Sequence, residues 1–354
     1  MSGTGRGRMR VVVVGATGNV GLGVLRRLQR EPEVEIVGVA RRVPGADAPA
    51  PYAGVSWHPI DVAADSVVRD LTLAFSGADA VISLAWLLQP NHDERVLAAT
   101  NVGGLRHVLE AVVAAGVPHV LVASSVGAYS QGPKRRRVDE SWPTGSIASS
   151  HYGRHKARIE RMMDAFERDH PDVVLTRMRP GLVMNPRAGA DLVRLFVGPL
   201  VPVRWLTRVP LPILPVPPRA VSQVVHVDDL GDAFWRAVDR RAGGAFNVAA
   251  EPVVGPAEIA EVLGARWVPI RIAPVRGALW LAWHLHLVRL DPGWLDIATS
   301  VPVLSTERAR AELGWAPTVD AVDALRAAIR GVADHEAEPA SPHLGRRPGR
   351  PTTR

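Results

Sequence analysis

The stretch VVVVGATGNVGLG at residues 11–23 decides how the rest of the chain is organised. Its four consecutive valines predict a strand that is buried on both faces. Three glycines follow at a fixed spacing, Gly15, Gly18 and Gly21, and the chain then continues as NVGLGVLRRLQRE, whose apolar residues recur at helical spacing. The sequence therefore predicts a strand, a tight glycine turn and a helix.

Such a turn suits an anionic ligand. The N-terminus of the helix brings backbone N–H groups and the positive end of the helix dipole to one point, which favours a diphosphate. The first glycine permits the tight turn, the second lets phosphate approach the backbone, and the third lets the helix pack on the strand. The spacing is G-x-x-G-x-x-G rather than the more usual G-x-G-x-x-G, so an ordinary strand-to-helix turn is the alternative.

Composition limits the class of protein. At 354 residues the chain can form two domains or one large one. It has no cysteine, which excludes disulfides and thiolate metal sites and fits a reducing cytoplasm. The histidines lack metal-ligand spacing, and no apolar stretch resembles a membrane span of about twenty residues. We therefore expect a cytoplasmic protein with no metal and no membrane span.

The basic residues are unevenly distributed. The net charge is +7, but part of it lies in the run Lys134–Arg137 and part near the C-terminus. We predict that the run is a solvated loop and that the C-terminal segment is disordered, so no nucleic-acid partner is expected. Only two of the 42 basic side chains are lysines, Lys134 and Lys156, which suggests that arginine would not serve at position 156.

Strands and helices alternate over the first half of the chain. After the first strand we predict strands at 34–39, 55–60, 80–84, 117–123 and 172–177, with helices at 66–75, 92–115 and 152–168 between them. This alternation predicts an α/β fold, a doubly wound parallel sheet of the Rossmann type. Ligands bind at the carboxyl ends of such strands, where the sequence places Gly15, Arg41, Asp61, Ala85 and Ser125.

The amino-acid composition changes near residue 185, where prolines and tryptophans become frequent. We predict a dinucleotide-binding domain at 9–184 and a smaller, irregular C-terminal substrate lobe at 185–332, interleaved with the sheet near 222–250. Helices are predicted at 230–240, 277–290, 306–313 and 320–332, with short strands at 224–227 and 245–248. The segment 333–354 is predicted to be a disordered tail.

The end of the second strand bears on the choice of cofactor. An acidic residue near this point binds the ribose 2′-hydroxyl of NAD, but here the position is Ala40. Arg41 and Arg42 follow, and their charge suits the 2′-phosphate of NADP. The alternative is that both arginines are merely exposed, and NAD stays a second choice.

Several motifs together carry a family resemblance. They are GATGNVG at 15–21, DV at 61–62, NVGG at 101–104, SSVGAY at 124–129, YGRHK at 152–156, RPGLVMNP at 179–186, HVDDL at 226–230, FNVA at 246–249 and LGWAP at 313–317. Through them the chain resembles the extended short-chain dehydrogenase/reductases, the NAD(P)-dependent epimerase/dehydratase-like group. The resemblance covers about residues 9–332, in the family's order.

The resemblance implies roles for individual residues. It makes Ser125, Tyr152 and Lys156 catalytic, with Ser124 as the alternative serine. The implied cofactor-binding residues are Gly15, Thr17, Gly18, Asn19, Val20, Gly21, Arg41, Arg42, Asp61, Val62, Leu84, Ala85, Asn101, Tyr152, Lys156, Pro180 and Val183. By the same analogy, the helices at 92–115 and 152–168 could pair with their copies in a homodimer.

The implied chemistry is hydride transfer between nicotinamide and a carbonyl or alcohol carbon. Tyr152 and Lys156 are four residues apart, so they share one face of a helix, and a cation there lowers a phenol pKa that is ordinarily about 10. Trp86 and the apolar segment 187–221 disfavour a sugar nucleotide and favour a fairly apolar small molecule. Two alternatives stay open: an epimerase or dehydratase that acts on a sugar nucleotide with retained cofactor, and a non-catalytic NADP-binding redox sensor.

Overall fold

A computed structural model describes residues 8–88, 92–188, 212–288 and 290–334, together with residues 338 and 341. Its strands are β1 (Met9–Val14), β2 (Val34–Ala40), β3 (Ser56–Pro59), β4 (Ala80–Ser83), β5 (His119–Ala123), β6 (Arg137–Val138), β7 (Val174–Pro180), β8 (Leu182–Met184), β9 (Ile213–Val216), β10 (Val224–His226), β11 (Gly244–Val248), β12 (Arg266–Pro269) and β13 (Val303–Leu304).

The α-helices of the same residues are α1 (Asn19–Leu28), α2 (Val67–Phe75), α3 (Glu94–Ala98), α4 (Gly104–Ala114), α5 (His151–Asp169), α6 (Val227–Asp239), α7 (Pro256–Leu263), α8 (Ile272–His284), α9 (Pro292–Ser300), α10 (Glu307–Leu313) and α11 (Ala321–Ala333). A π-helical turn, Ala99–Gly103, joins α3 to α4. The predicted helix at 92–115 is thus continuous in space but contains one wider turn.

Seven parallel strands form the central sheet, in the order β3-β2-β1-β4-β5-β7-β11. The predicted doubly wound parallel sheet is therefore confirmed. β1 lies at its middle, where Val12 pairs with Val37 on one side and Val81 on the other. The strand order reverses direction at β1, and ligands of such sheets bind at that reversal, beyond the carboxyl ends of the strands.

The four valines of β1 explain why the sheet is covered on both faces. Val11 and Val13 point into a core formed with α1 and α6, whereas Val12 and Val14 point into a core formed with α2, α4 and α5. All four valines are at most 1% exposed. Buried parallel strands read as continuous apolar runs for this reason, because both faces meet helices.

The stretch from Glu94 to Ala114 is long and apolar enough to cross a membrane, but 56% of its apolar window is buried inside the fold. Val108 and Val112 are fully buried against the sheet. The stretch therefore has the burial of a core helix.

The C-terminal lobe departs from the prediction in detail. The helix predicted at 277–290 is α8, which begins five residues earlier because Pro274 is tolerated in a first helical turn. It ends at His284, and His286 adopts a left-handed backbone conformation with φ 57°, which a continuing helix does not permit. The sequence patterns did not predict helices α7 and α9. They also missed at least one strand of each of the two-stranded pairs β8–β10, β9–β12 and β6–β13.

Two expectations about the basic segments are wrong in part. The ammonium of Lys134 is not solvated: it donates to the carbonyl oxygens of Val221 and Ala298, at 2.7 and 2.8 Å. In the segment predicted to be disordered, Glu338 and Ser341 are 4% and 2% exposed. Polar partners on the folded domain explain this order, because Glu338 pairs with Arg187 and Ser341 donates to the backbone near β1.

Candidate active site

The glycine turn after β1 has the geometry expected of a phosphate cradle. Gly15 has φ +83°, and a Cβ there would lie 2.7 Å from the backbone nitrogen of Ala85. A Cβ at Gly21 would lie 2.4 Å from the carbonyl oxygen of Ala16, so α1 could not sit this close to the strand with a larger residue. The first and third glycines therefore have the steric roles that the sequence predicts.

The N-terminus of α1 suits the negative charge of a dinucleotide. Gly18 is its N-cap, no side chain caps the helix, and no acidic residue lies in the first turn. Its N–H groups and the positive end of the helix dipole thus face the turn. Asn19 begins the helix, and its side-chain oxygen accepts a bond from Asn185 at 2.8 Å, while Val20 is half-buried beside it. The residues present fit a diphosphate.

Thr17 lies in the same turn and is nearly buried. Its carbonyl oxygen accepts a hydrogen bond of 2.9 Å from the Ser341 hydroxyl. Glu338, three residues earlier, pairs with Arg187 and lies 3.9 Å from Arg26 of α1. Ser341 therefore contacts the glycine turn itself, and Glu338 lies beside α1.

The ends of β2 and β3 form the adjoining part of the site. Ala40 closes β2 and is buried, whereas Arg41 and Arg42 are exposed. The Arg41 guanidinium lies 4.0 Å from the Asp61 carboxylate, which follows β3. Val62 is buried, and its carbonyl oxygen is hydrogen bonded to His107 of α4 at 2.8 Å. The structure brings the two predicted cofactor regions, 41–42 and 61–62, to the same sheet edge.

The loop after β4 is held by Asn101. The side-chain oxygen of Asn101 accepts from the Leu87 nitrogen at 2.7 Å, and its amide nitrogen donates to the Leu87 carbonyl oxygen at 2.9 Å. The Leu84 nitrogen donates a hydrogen bond to the Val14 carbonyl oxygen of β1 at 2.8 Å. The loop therefore starts at a fixed position and places Ala85 over Gly15. The Asn101 side chain, which is predicted to bind cofactor, thus bonds to Leu87 with both of its polar atoms and orients this loop.

The two adjacent serines after β5 have different partners. Ser125 is hydrogen bonded to the side chain of Tyr152, and its oxygen also accepts from the Gly127 nitrogen at 3.0 Å. Ser124 instead donates to the carboxylate of Glu160 at 2.5 Å. The structure therefore brings Ser125, rather than the alternative Ser124, to the tyrosine.

Tyr152 and Lys156 lie on the first turns of α5, where Tyr152 is half-buried and Lys156 is buried. Burial raises the pKa of Tyr152 to about 12, against the opposing effect of the bond with Ser125. Burial also lowers the pKa of Lys156 to about 7, although the charge of Glu160 opposes it. The Lys156 ammonium donates to the Ala123 carbonyl oxygen at 2.8 Å and lies 5.9 Å from the centroid of the tyrosine ring.

Two tryptophans cover this pair. The Lys156 nitrogen is 3.4 Å from the centroid of the Trp86 ring, a cation–π contact. Trp86 meets Tyr152 edge-on at 5.7 Å between centroids, and Trp294 lies against the other side of that phenol at 4.7 Å. The small cleft beside them is lined by Leu87, Leu88, Leu97, Asn101, His151, Tyr152, His155 and Trp294. Five of these eight side chains are apolar or aromatic, and Asn101, His151 and His155 are polar.

Trp294 reaches the site through close packing of α9 on the start of α5. A Cβ on Gly293 would lie 2.6 Å from the Cα atom of Ser150, the N-cap of α5. Asp291, the N-cap of α9, lies 3.2 Å from the ring nitrogen of His151. Sequence reasoning missed Trp294, since the Asp-Pro start indicates a helix but not its neighbour.

Behind the pair lies a buried ionic network that sequence reasoning also missed. Glu160, one turn along α5 from Lys156, is fully buried and accepts two bonds of 2.9 Å from Arg179 of β7. Burial favours its neutral form, but Arg179, Ser124 and Arg177 hold the pKa of Glu160 below its usual range. The only sequence signal of this network was that Lys156 and Glu160 are four residues apart, which places their side chains on one face of α5.

Pro180 and Val183 follow the same edge of the sheet. Pro180 is buried at the end of β7, and Val183 is half-buried in β8, where it pairs with Val225 of β10. A Cβ on Gly181 between them would lie 2.4 Å from the Gln223 carbonyl oxygen. This segment therefore leaves the central sheet at the point that the resemblance assigns to the nicotinamide side.

Comparison with known proteins agrees with this arrangement. A model of the NAD dependent epimerase/dehydratase family matches residues 11–249, well over half of the chain. An uncharacterized protein of Mycobacterium tuberculosis is 24% identical over 229 residues, which cover 62% of this chain and 55% of that protein. The chain thus spans about half the length of this mycobacterial relative.

Two further relatives match over most of their length. A UDP-glucose 4-epimerase of Streptomyces lividans is 26% identical over 327 residues, covering 87% of this chain and 92% of that enzyme. The crystal structure of the Thermus thermophilus UDP-glucose 4-epimerase in complex with NAD shares the fold, with a TM-score of 0.66 and 21% identity over 92% of this chain and 99% of that one. The chain therefore belongs to the NAD dependent epimerase/dehydratase family.

Proposed function

We propose that this enzyme transfers hydride between NADP and the carbonyl or alcohol carbon of a fairly apolar small molecule. One observation carries the proposal: the Tyr152 ring contacts both Trp86 and Trp294. Three leucines line the small cleft beside it, together with Asn101, His151 and His155. A sugar ring needs several polar partners, and leaving its hydroxyl groups unpaired against such a lining costs free energy. An apolar carbonyl compound loses little by entering it.

Each catalytic residue has a task in this proposal. Ser125 holds the substrate oxygen by a hydrogen bond and aims it at the Tyr152 hydroxyl, which donates its proton to that oxygen during reduction. A nicotinamide held at this edge of the sheet would supply the hydride that the carbonyl carbon needs to become an alcohol. Lys156 supplies positive charge beside the phenol when it is protonated, and the two tryptophans exclude water from the reacting centre.

The protonation states favour the reductive direction near neutral pH. With its pKa raised to about 12 by burial, the Tyr152 phenol keeps its proton and is ready to donate it. Oxidation of an alcohol needs the phenolate, which a cation beside the ring must stabilise. Since burial lowers the pKa of Lys156 to about 7, that cation is itself only partly charged at neutral pH. We infer that carbonyl reduction is the easier reaction.

A substrate panel tests the proposed function. Reduced cofactor is incubated with apolar ketones and aldehydes in one set and with UDP-glucose or UDP-galactose in another, and its consumption is measured. We expect consumption with the apolar carbonyls, with kcat/KM at least about tenfold above that for polar ones, because burying apolar area favours them. Interconversion of the two UDP-sugars without net consumption of cofactor would instead establish the epimerase alternative.

The preference for NADP is a proposal supported by Ala40 and by the exposed arginines that follow it. We expect NADPH to bind about ten- to a hundredfold more tightly than NADH, or about 1.4–2.8 kcal/mol, through a charge-assisted contact to the 2′-phosphate. Arg41→Ala should weaken NADPH binding and leave NADH binding unchanged. The control is Arg30→Ala, an exposed arginine beyond the far end of α1. Equal affinities of the unaltered protein for the two cofactors would contradict the preference.

Two further features belong to the proposal. We propose a homodimer formed through α4 and α5, whose outer faces line a groove that includes Leu109, Val113, Met162 and Phe166. We also propose a cytoplasmic location, supported by the absence of cysteine.

A further inference from the structure

Among the residues that the structure describes, the largest concentration of exposed apolar side chains lies on and just after α8. Of the eight large apolar residues that are exposed in the described ranges, four fall between residues 280 and 287: Trp280, Leu281, Leu285 and Leu287, at 50%, 54%, 59% and 50% exposure. We call these four residues the 280–287 patch. Contiguous exposed apolar surface of this kind marks an interaction site.

The patch is presented by a helix whose other face is anchored. Arg276 makes three bonds of 2.8–3.1 Å to Asp296 of α9. Trp283 stacks on His92 with the ring planes 10° apart and the centroids at 4.7 Å. Ile272, Val275, Leu279 and Ala282 are half-buried on that inner face, while the patch points the opposite way. The apolar face is therefore held outward by contacts on the inner face.

Charge around the helix favours an anionic partner. From residue 262 to residue 290 the sequence contains no aspartate or glutamate and four arginines, Arg266, Arg271, Arg276 and Arg289. Arg266 and Arg271 are exposed just before the start of α8. Exposed leucine and tryptophan side chains with arginines close by are typical of surfaces that lie in the interface of a membrane.

We propose that the 280–287 patch docks this enzyme on the surface of an anionic lipid bilayer. Trp280 and the leucines enter the boundary between headgroups and acyl chains, and the exposed Arg266 and Arg271 pair with lipid phosphates. A second copy of this chain is the less suitable occupant, because two such faces would bring their arginines together with no carboxylate from residues 262–290 to pair them. The docked state is peripheral and requires no segment to cross the bilayer.

The position of α8 implies that docking affects how apolar molecules reach the cleft beside Tyr152. α9, against which α8 packs, carries Trp294, and His92 follows the loop that carries Trp86. The patch thus adjoins both segments that cover Tyr152. Docking would place the cleft beside the lipid phase, where apolar molecules concentrate. The docking proposal itself does not depend on the substrate, because lipid binding is measured without one.

Co-sedimentation of the full chain with vesicles tests the proposal. We expect binding to vesicles of phosphatidylcholine and phosphatidylglycerol, weaker binding to phosphatidylcholine alone, and partial release by added salt. The double variant Leu281→Glu/Leu285→Glu should lower the partition coefficient at least about tenfold. Both leucines are more than half exposed, so the variant should keep its melting temperature and its affinity for NADPH.

The matched control is Leu73→Glu, which alters a leucine of α2 that is 65% exposed, and it should bind vesicles as the unaltered protein does. Three outcomes overturn the proposal: no binding to either vesicle, equal loss in the Leu73 variant, or unchanged vesicle binding in the double variant. A fall in molecular mass of the double variant by sedimentation in lipid-free buffer, with vesicle binding retained, would assign the patch to a second copy of the chain.

Discussion

Replacing Tyr152 by phenylalanine is expected to lower turnover at least about a hundredfold, the lower end for loss of a general acid. The variant keeps the ring and therefore its contacts with Trp86 and Trp294. It loses only the hydroxyl that is bonded to Ser125. Folding and the affinity for NADPH should therefore persist, and the loss should appear in kcat rather than in cofactor binding. Steady-state kinetics on the best substrate of the panel and fluorescence titration with NADPH measure the two quantities.

Tyr129→Phe is the matched control, since it also removes a buried phenol hydroxyl. That hydroxyl donates to Asn247 at 2.7 Å and accepts from Arg179 at 2.9 Å, in a network behind the site. Its loss should lower the free energy of unfolding by about 1–3 kcal/mol, while the folded enzyme keeps most of its turnover. Full activity of Tyr152→Phe would show that the phenol is not the proton donor and that the proposed mechanism is wrong.

Replacing Glu160 by glutamine should produce the largest loss of stability. The Glu160 carboxylate is fully buried between Arg177 and Arg179. Removing its charge leaves the buried Arg179 guanidinium without its carboxylate partner, which costs about 3–5 kcal/mol in comparable pairs, whereas Arg177 keeps Asp164 and Glu167. Equilibrium denaturation in urea should show this as a lower midpoint, and loss of the charge that faces Lys156 should also alter turnover.

Asp164→Asn is the control for this effect, because Asp164 pairs with the same Arg177 but is 50% exposed. An exposed pair is worth at most about 1 kcal/mol, so this variant should remain near the unaltered protein. If the two variants unfold alike, the buried network does not stabilise the fold in the way proposed.

The pH dependence of stability gives a second signature of Glu160. Its pKa in the folded protein is held below the usual range, so the carboxylate stabilises the fold above its unfolded pKa of about 4.3. This contribution is lost as the pH falls through the lower, folded pKa. Glu160→Gln lacks it at every pH, so the difference in unfolding free energy between the two proteins should shrink in acid.

Local sequence patterns predicted the doubly wound parallel sheet, because its strands are short apolar runs and parallel strands must end at the same edge. Gly15, Arg41, Asp61, Ala85 and Ser125 each follow the carboxyl end of a strand of this sheet. Their assignment to the cofactor stays a prediction. The choice between Ser124 and Ser125 stayed open, since neighbouring residues after a strand can point either way.

The residues that surround the Tyr152 phenol could be identified only from the tertiary structure. Trp294 lies 142 positions from Tyr152 in the chain and reaches it because Gly293 lets α9 approach Ser150. The partners of Lys134 and the order at Glu338 likewise depend on residues far away in sequence. Charge and burial of such side chains follow from contacts between distant segments, and no local periodicity encodes those contacts.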